Sequence, residues 1–187
     1  MPTSQHSSRR LQHASIDEVI TFLETSADTG GRRTLLEVEL GPGGATPMHR
    51  HRRFAECFEV LDGQLTIHAD GKMHALRAGD VVRVPVGTTH RFENTSAGRV
   101  RFRTELTPGW VGFEQAQQVG FGLAGEGRVT KGGFPKDPRH VALLLEWTDT
   151  RLVGRLPALA SPLVHALTAA ARATGEERRL LERFVTF

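Results

Sequence analysis

Two short histidine-bearing runs either side of a hairpin signal constrain this chain more than anything else in it. The first reads Gly43-Gly-Ala-Thr-Pro-Met48-His49-Arg-His51-Arg-Arg-Phe-Ala-Glu56, with Gly63 after six further residues. The second reads Gly79-Asp-Val-Val-Arg-Val-Pro85-Val-Gly87-Thr-Thr-His90-Arg-Phe-Glu-Asn94. Residues two apart in a β-strand point to the same face, so His49 and His51 aim together. Counting by twos from Glu56 puts it on one face with Phe58 and Val60. A carboxylate among apolar neighbours is costly unless something satisfies it, and a metal with three imidazoles would do so. His49, His51, Glu56 and His90 are therefore candidate metal ligands, three nitrogens and one oxygen. Such a set suits a divalent transition metal, Fe, Mn, Ni, Cu or Zn, and the affinity order does not choose among them. Zinc would also allow a closed tetrahedral structural site.

The two runs resemble the two sequence motifs of the cupin superfamily. Gly43 to Gly63 follows Gly, five residues, His-x-His, four residues, Glu, six residues, Gly; Gly79 to Asn94 follows Gly, five residues, Pro-x-Gly, two residues, His, three residues, Asn. Fifteen residues separate Gly63 from Gly79, similar to the short spacing of bacterial single-domain cupins. The resemblance implies an all-β fold, a small antiparallel jelly-roll barrel, and maps the same four residues onto the family's metal ligands.

Residues 1–14 are polar and aperiodic and are expected to form a mobile arm. A barrel is expected over 15–108. Ile16 to Leu23 reads better as a strand than as a helix, Thr34 to Leu40 alternates cleanly, and Asp70-Gly71 between alternating runs predicts a two-residue hairpin. Arg99 to Glu105 alternates again, for about eight or nine strands in all. From 109 to 187 the pattern turns helical, an α-helical C-terminal extension expected to pack on the barrel or on a partner subunit. Trp110 to Leu123 has helical spacing weakened by glycines; Gly125 to Lys136 is a loop; Asp137-Pro138 opens a helix through Trp147. Ser161-Pro162 repeats that start signal, Gly175 is a stop, and Leu180, Leu181 and Phe184 share one face of a last helical segment.

With 24 Lys plus Arg against 21 Asp plus Glu, the formal net charge is +3, and no basic stripe interleaved with aromatics argues for nucleic acid. One cysteine, Cys57, excludes an internal disulfide. The N-terminal residues lack an apolar signal core, and Leu152 to Ala171 is interrupted by Arg155, Pro157, Pro162 and His165, so a cytoplasmic protein with no membrane span is expected.

Met48, Phe58, Phe92 and Phe102 are candidate substrate-pocket residues, placed by alternation or adjacency; for Met48 a gap-filling core role is the stronger reading. His68, His74, His140 and His165 have no visible partner and read as solvated. Arg99, Arg101 and Arg103 are placed to meet glutamates of a neighbouring strand, and Trp110 and Trp147 to pack the helical extension. The ligand set resembles that of cupin oxalate oxidases, oxalate decarboxylases and quercetin-type dioxygenases. The resemblance implies a metal-dependent oxidoreductase acting on a small organic molecule, with Glu56 as a possible proton shuttle. A non-catalytic cupin that binds or senses a small ligand or metal is the alternative, and a metal-dependent isomerase or lyase ranks third. Barrels of this family commonly pair, so a homodimer is expected.

Overall fold

The structure is a computed structural model that describes residues 9–187, the side chains of 155–160 excepted. Its strands in chain order are β1 (Arg10–Gln12), β2 (Glu18–Glu24), β3 (Thr34–Leu40), β4 (His49–Arg50), β5 (Ala55–Asp62), β6 (Gln64–Ala69), β7 (Lys72–Arg77), β8 (Val81–Val84), β9 (His90–Glu93) and β10 (Val100–Thr107). After them come α1 (Val111–Gly125), α2 (Pro138–Trp147), β11 (Arg151–Leu152), α3 (Arg155–Ala173) and α4 (Glu176–Phe184). Two antiparallel sheets face each other, one ordered β1-β2-β3-β10-β5-β8 and the other β11-β4-β9-β6-β7. This is the jelly-roll architecture with helices at the C-terminal end.

Alternation builds the barrel core. Leu36, Val38 and Leu40 on β3, Phe58 and Val60 on β5, and Val100, Phe102 and Leu106 on β10 all bury between the sheets. The opposite face of the same strands is charged: Arg101 meets Glu37 at 3.2 Å, Arg103 meets Glu59 at 3.5 Å, and Arg99 pairs with Asp17. The arginine stripe thus meets carboxylates of neighbouring strands, as cross-strand pairing predicts. Asp70-Gly71 turns the β6–β7 hairpin with both residues at positive φ (51° and 74°), the backbone such a tight turn demands.

Helices α1, α2, α3 and α4 share a second, smaller core around Val119, Leu123, Leu143 and Leu180. Trp147 belongs to it, and Trp110 donates its indole N–H to the Trp147 carbonyl at 2.7 Å. The glycines that weaken the helical pattern of α1 have a packing cause. A Cβ at Gly112 would collide with the Trp147 carbonyl, and one at Gly122 with the Phe184 ring. Helix α2 starts as expected, with the Asp137 side chain accepting from Arg139 N–H at 2.9 Å and Pro138 in the first turn.

Several expectations need correction. Of the arm expected to be mobile, residues 1–8 lie outside the described residues, whereas Arg10–Gln12 pairs with β2 as a strand. Among the described residues ten strands precede α1 and an eleventh follows α2, more than eight or nine. Helix α3 begins at Arg155 and carries Pro162 inside it, so Ser161-Pro162 is not its start. A missing N–H costs an interior helical bond, and the helix absorbs that cost. His140 is 1% exposed rather than solvated, bonded to Glu176 at 2.9 Å, and so ties α2 to α4. His68 bonds Glu93 at 2.6 Å across the β6–β9 pair. His165 is exposed, as expected.

Candidate metal centre

The four expected ligands meet inside the barrel. His49 on β4 stands opposite His90 on β9 in one sheet, their rings 4.4 Å apart between centroids. His51 follows β4 directly, and Glu56 reaches in from β5 of the other sheet. One donor atom from each lies within 4.8 Å of all the others, and all four residues are buried. The glycine and asparagine positions of the two runs hold these strands in place. Gly87, at φ 81°, donates its N–H to the His51 carbonyl at 2.7 Å, tying the second run to the first. Asn94 is 1% exposed, and its amide donates to Leu40 and Gly98 carbonyls at 3.0 and 2.8 Å. At Gly63, φ is 82° and a Cβ would lie 2.9 Å from the Arg99 carbonyl oxygen.

Each imidazole is oriented by a backbone carbonyl. His49 Nδ1–H donates to Pro47 at 2.7 Å, His51 Nδ1–H to Thr148 at 3.0 Å and His90 Nδ1–H to Thr88 at 2.9 Å. A carbonyl can only accept, so all three rings carry a proton on Nδ1 and turn Nε2 toward the common centre; His90 carries a second proton on Nε2, which it donates to Glu56. His49 Nε2 and His51 Nε2 then face each other at 3.1 Å as two lone pairs with no proton to share. Two acceptors at that distance repel, and a cation between them removes the repulsion. This observation fits the residues to a metal ion, and the carbonyl partners are the outer support that metal-bound histidines use.

The electrostatics agree. Burial, reinforced by the neighbouring histidines, pushes His49 down to about 4, and burial also lowers His51. Both rings are neutral, as metal ligation requires. Burial also acts to lower His90, but the hydrogen bond to Glu56 at 2.6 Å outweighs it and raises His90 overall. Burial acts to raise Glu56, yet the same bond and the surrounding histidines leave it below the usual carboxylate range. Glu56 is the anion of the site.

The helical region supplies parts that sequence reasoning missed. Thr148 gives the carbonyl that orients His51, and Asp149 accepts the Arg52 backbone N–H at 2.6 Å. Strand β11 pairs with β4, placing Leu152 opposite His49 and Arg151 opposite Arg50. Residues 148–152 thus brace the ligand run from behind. Asp149 has φ 48°, a backbone that favours Asp or Asn over bulkier residues; an Asp after a Trp-Thr helix end is a faint signal of it.

A cavity of about 370 Å³ opens on the four donors. Its walls are largely apolar, with Val38, Phe92, Phe113, Phe121, Leu144 and Leu152 among them. Of the expected pocket residues, Phe92 lines it. Phe58 and Phe102 are instead fully buried in the core behind it. Met48 is half-buried and does not line it, because its neighbour His49 points in and adjacent strand residues point oppositely. Cys57 stands outside the ligand group, paired with Arg83 in the β5–β8 register. No helix among the described residues is long and apolar enough to cross a membrane.

Comparison with known proteins gives a domain match. The profile of the Cupin domain matches residues 36–107. Over 79 residues the chain is 33% identical to quercetin 2,3-dioxygenase of Bacillus subtilis, covering 42% of this chain and 23% of that protein. Over 85 residues it is 29% identical to the oxalate-binding protein of Thermotoga maritima, covering 46% of this chain and 70% of that one. It is also similar to the crystal structure of a predicted oxalate decarboxylase from Thermotoga maritima, with 24% identity and a TM-score of 0.47 over 53% of this chain and 90% of that one. The chain thus spans less than a quarter of the dioxygenase. With both motifs folded into one buried donor set inside a jelly roll, residues 36–107 are a cupin domain, and helices follow it in the chain.

Proposed function

We propose that this cupin is a metal-dependent oxidoreductase of dioxygenase type acting on a small, largely apolar organic molecule. His49, His51, His90 and Glu56 would hold a divalent transition metal, Fe, Mn, Ni, Cu or Zn. Such an ion supplies Lewis acidity and, for the redox-active metals, electron transfer toward substrate oxygen or O₂. The observation that carries the reading is the facing pair of unprotonated Nε2 atoms at 3.1 Å, open to an apolar cavity.

The chain's own groups perform the remaining tasks. The Nδ1–H bonds to Pro47, Thr148 and Thr88 fix ring orientation in advance, so little reorganisation accompanies ligation. Apolar walls exclude water from the reacting end of the substrate. Glu56 Oε2 takes the bond from His90, while Oε1 has no hydrogen-bond partner among the described residues. Oε1 is therefore the atom at which Glu56 accepts and returns a substrate proton. The likeness to a quercetin dioxygenase supports this reading.

Elemental analysis of purified protein beside a His51→Ala variant tests it, followed by oxygen-uptake assays with aromatic and alkyl substrates. Near-stoichiometric metal in the first and little in the second is the expected result. A native protein that contains no metal and refuses added Fe, Mn, Ni, Cu and Zn would sink the site assignment. A second reading, a binding module, draws on the likeness to an oxalate-binding protein. A loaded protein that binds ligand tightly without consuming oxygen would favour that reading.

A further inference from the structure

Strand β2 brings a carboxyl to the inner wall of the barrel where its neighbours bring hydrocarbon. Ile16, Glu18 and Ile20 alternate along the chain, and all three line the cavity that opens on the ligand group. Ile20 and Phe22, which continue the same face, are core residues. Glu18 stands opposite Leu40 of β3, and its backbone bonds to Ile16 and His13, each at 2.9 Å. Strand register therefore aims its side chain inward. Asp17, one residue away, points outward and pairs with Arg99.

Among the described residues nothing hydrogen-bonds or ion-pairs with the Glu18 carboxyl. The residue lines the cavity as well as a second pocket beside Gly41–Gly44, and burial alone pushes its carboxyl up to about 7. The other titratable group in that part of the wall is His13. Its Nδ1 accepts from the N–H groups of Ser15 and Ile16, and burial keeps the ring neutral, so it supplies no compensating charge. A carboxyl in an apolar wall is unfavourable until it is paired. Since the described residues offer no partner, the partner comes with the ligand. Glu18 lies level with Val100 of β10 by way of Leu40, whereas Glu56 lies level with Leu106. That spacing is roughly 20 Å of extended strand, which suits an elongated ligand rather than a compact one.

We propose that Glu18 is the cation-recognition point of the cavity, seating the protonated amine of an elongated, otherwise apolar substrate whose far end lies at His49, His51, Glu56 and His90. The position of the far end rests on the metal-centre reading; the amine subsite does not. An ammonium satisfies the carboxylate by a charge-assisted hydrogen bond, which a neutral hydroxyl forms more weakly.

Calorimetric titration with n-octylamine and n-octanol at about pH 8, where the amine is protonated, tests this. The wild-type protein should bind the amine at least about ten-fold more tightly than the alcohol. Glu18→Gln, which keeps an acceptor and removes the charge, should abolish that preference and leave the alcohol unchanged. His51→Ala, whose metal content is measured separately, should keep the preference even where metal is lost. A wild-type protein without the preference overturns the proposal whether or not the Gln variant folds. So does a folded Gln variant that retains the preference. Loss of the preference in His51→Ala also overturns it, since that result would put the amine on the metal.

Discussion

At the end of the cavity bounded by β4, β5 and β9, four ionisable side chains face one another; at the end bounded by β2, one carboxyl has no hydrogen-bond or ion-pair partner among the described residues. Both ends are shielded from water by the same barrel, and burial drives each group toward its neutral form. His49 falls to about 4 and Glu18 rises to about 7. Among the described residues, only the ligand end answers that cost from within, with three carbonyl tethers and a His90–Glu56 bond. The difference separates two kinds of readiness. One end is rigid before anything binds, and the other is completed by what binds.

The sharpest way to break the comparison is to remove a donor at the ligand end. A His49→Ala variant should lose metal affinity by more than about 100-fold, exceeding the range expected for removing a supporting group. Glu18→Gln should leave metal content at the wild-type level. Chelator competition followed by elemental analysis reads both. If Glu18→Gln also lost its metal, the two ends would be one site.

A smaller effect separates the ends by the sign of their pH dependence. Glu18 is raised, so between pH 4.5 and about 7 the folded protein holds the proton that the unfolded chain has released. Stability therefore falls as pH rises through that window, by about 2 kcal/mol once water in the cavity is allowed for. Glu18→Gln should remove that loss, being more stable than wild type near neutral pH and equal to it near pH 4.5. His49 is lowered, so metal-free protein should lose stability in the opposite direction, as pH falls from 6.5 toward about 4. Urea midpoints across this range decide the matter, and a Glu18→Gln profile parallel to wild type would contradict the unpaired carboxyl.

How far the sequence could be read depends on whether a residue acts with its chain neighbours. His49, His51 and Glu56 lie within one short run, and strand alternation announces which face they share. The hairpin at Asp70-Gly71 and the cap at Asp137-Pro138 are local for the same reason. His140 and His68 read as solvated because their partners, Glu176 and Glu93, are 36 and 25 residues away. Glu18 was legible as part of a strand, but which face is inward depends on the register with Leu40. Thr148 contributes a backbone carbonyl 97 residues from His51, an interaction that no side-chain pattern records.

That last contact leads to the smallest of the expected effects. Asp149 is 3% exposed, accepts the Arg52 N–H at 2.6 Å and sits at φ 48°, between the carbonyl that orients His51 and the strand β11 that pairs with His49. Its side chain bonds to no ligand side chain and positions the run that carries two of them. Asp149→Ala removes the acceptor and adds strain at positive φ, so the 148–152 brace should loosen. Metal affinity should then drop about ten-fold, the low end of what a supporting group contributes. Asp149→Asn keeps both the acceptor and the tolerance of that backbone, giving up the long ion pairs with Arg52 at 3.6 Å and Arg151 at 4.0 Å, whose arginine ends are open to solvent and which contribute little. Asn should therefore restore most of the affinity that Ala loses. A merely structural role would lower the melting temperature of both variants without moving affinity. Equal affinity in wild type and Asp149→Ala would show that the ligand run holds its geometry without help from the helical region.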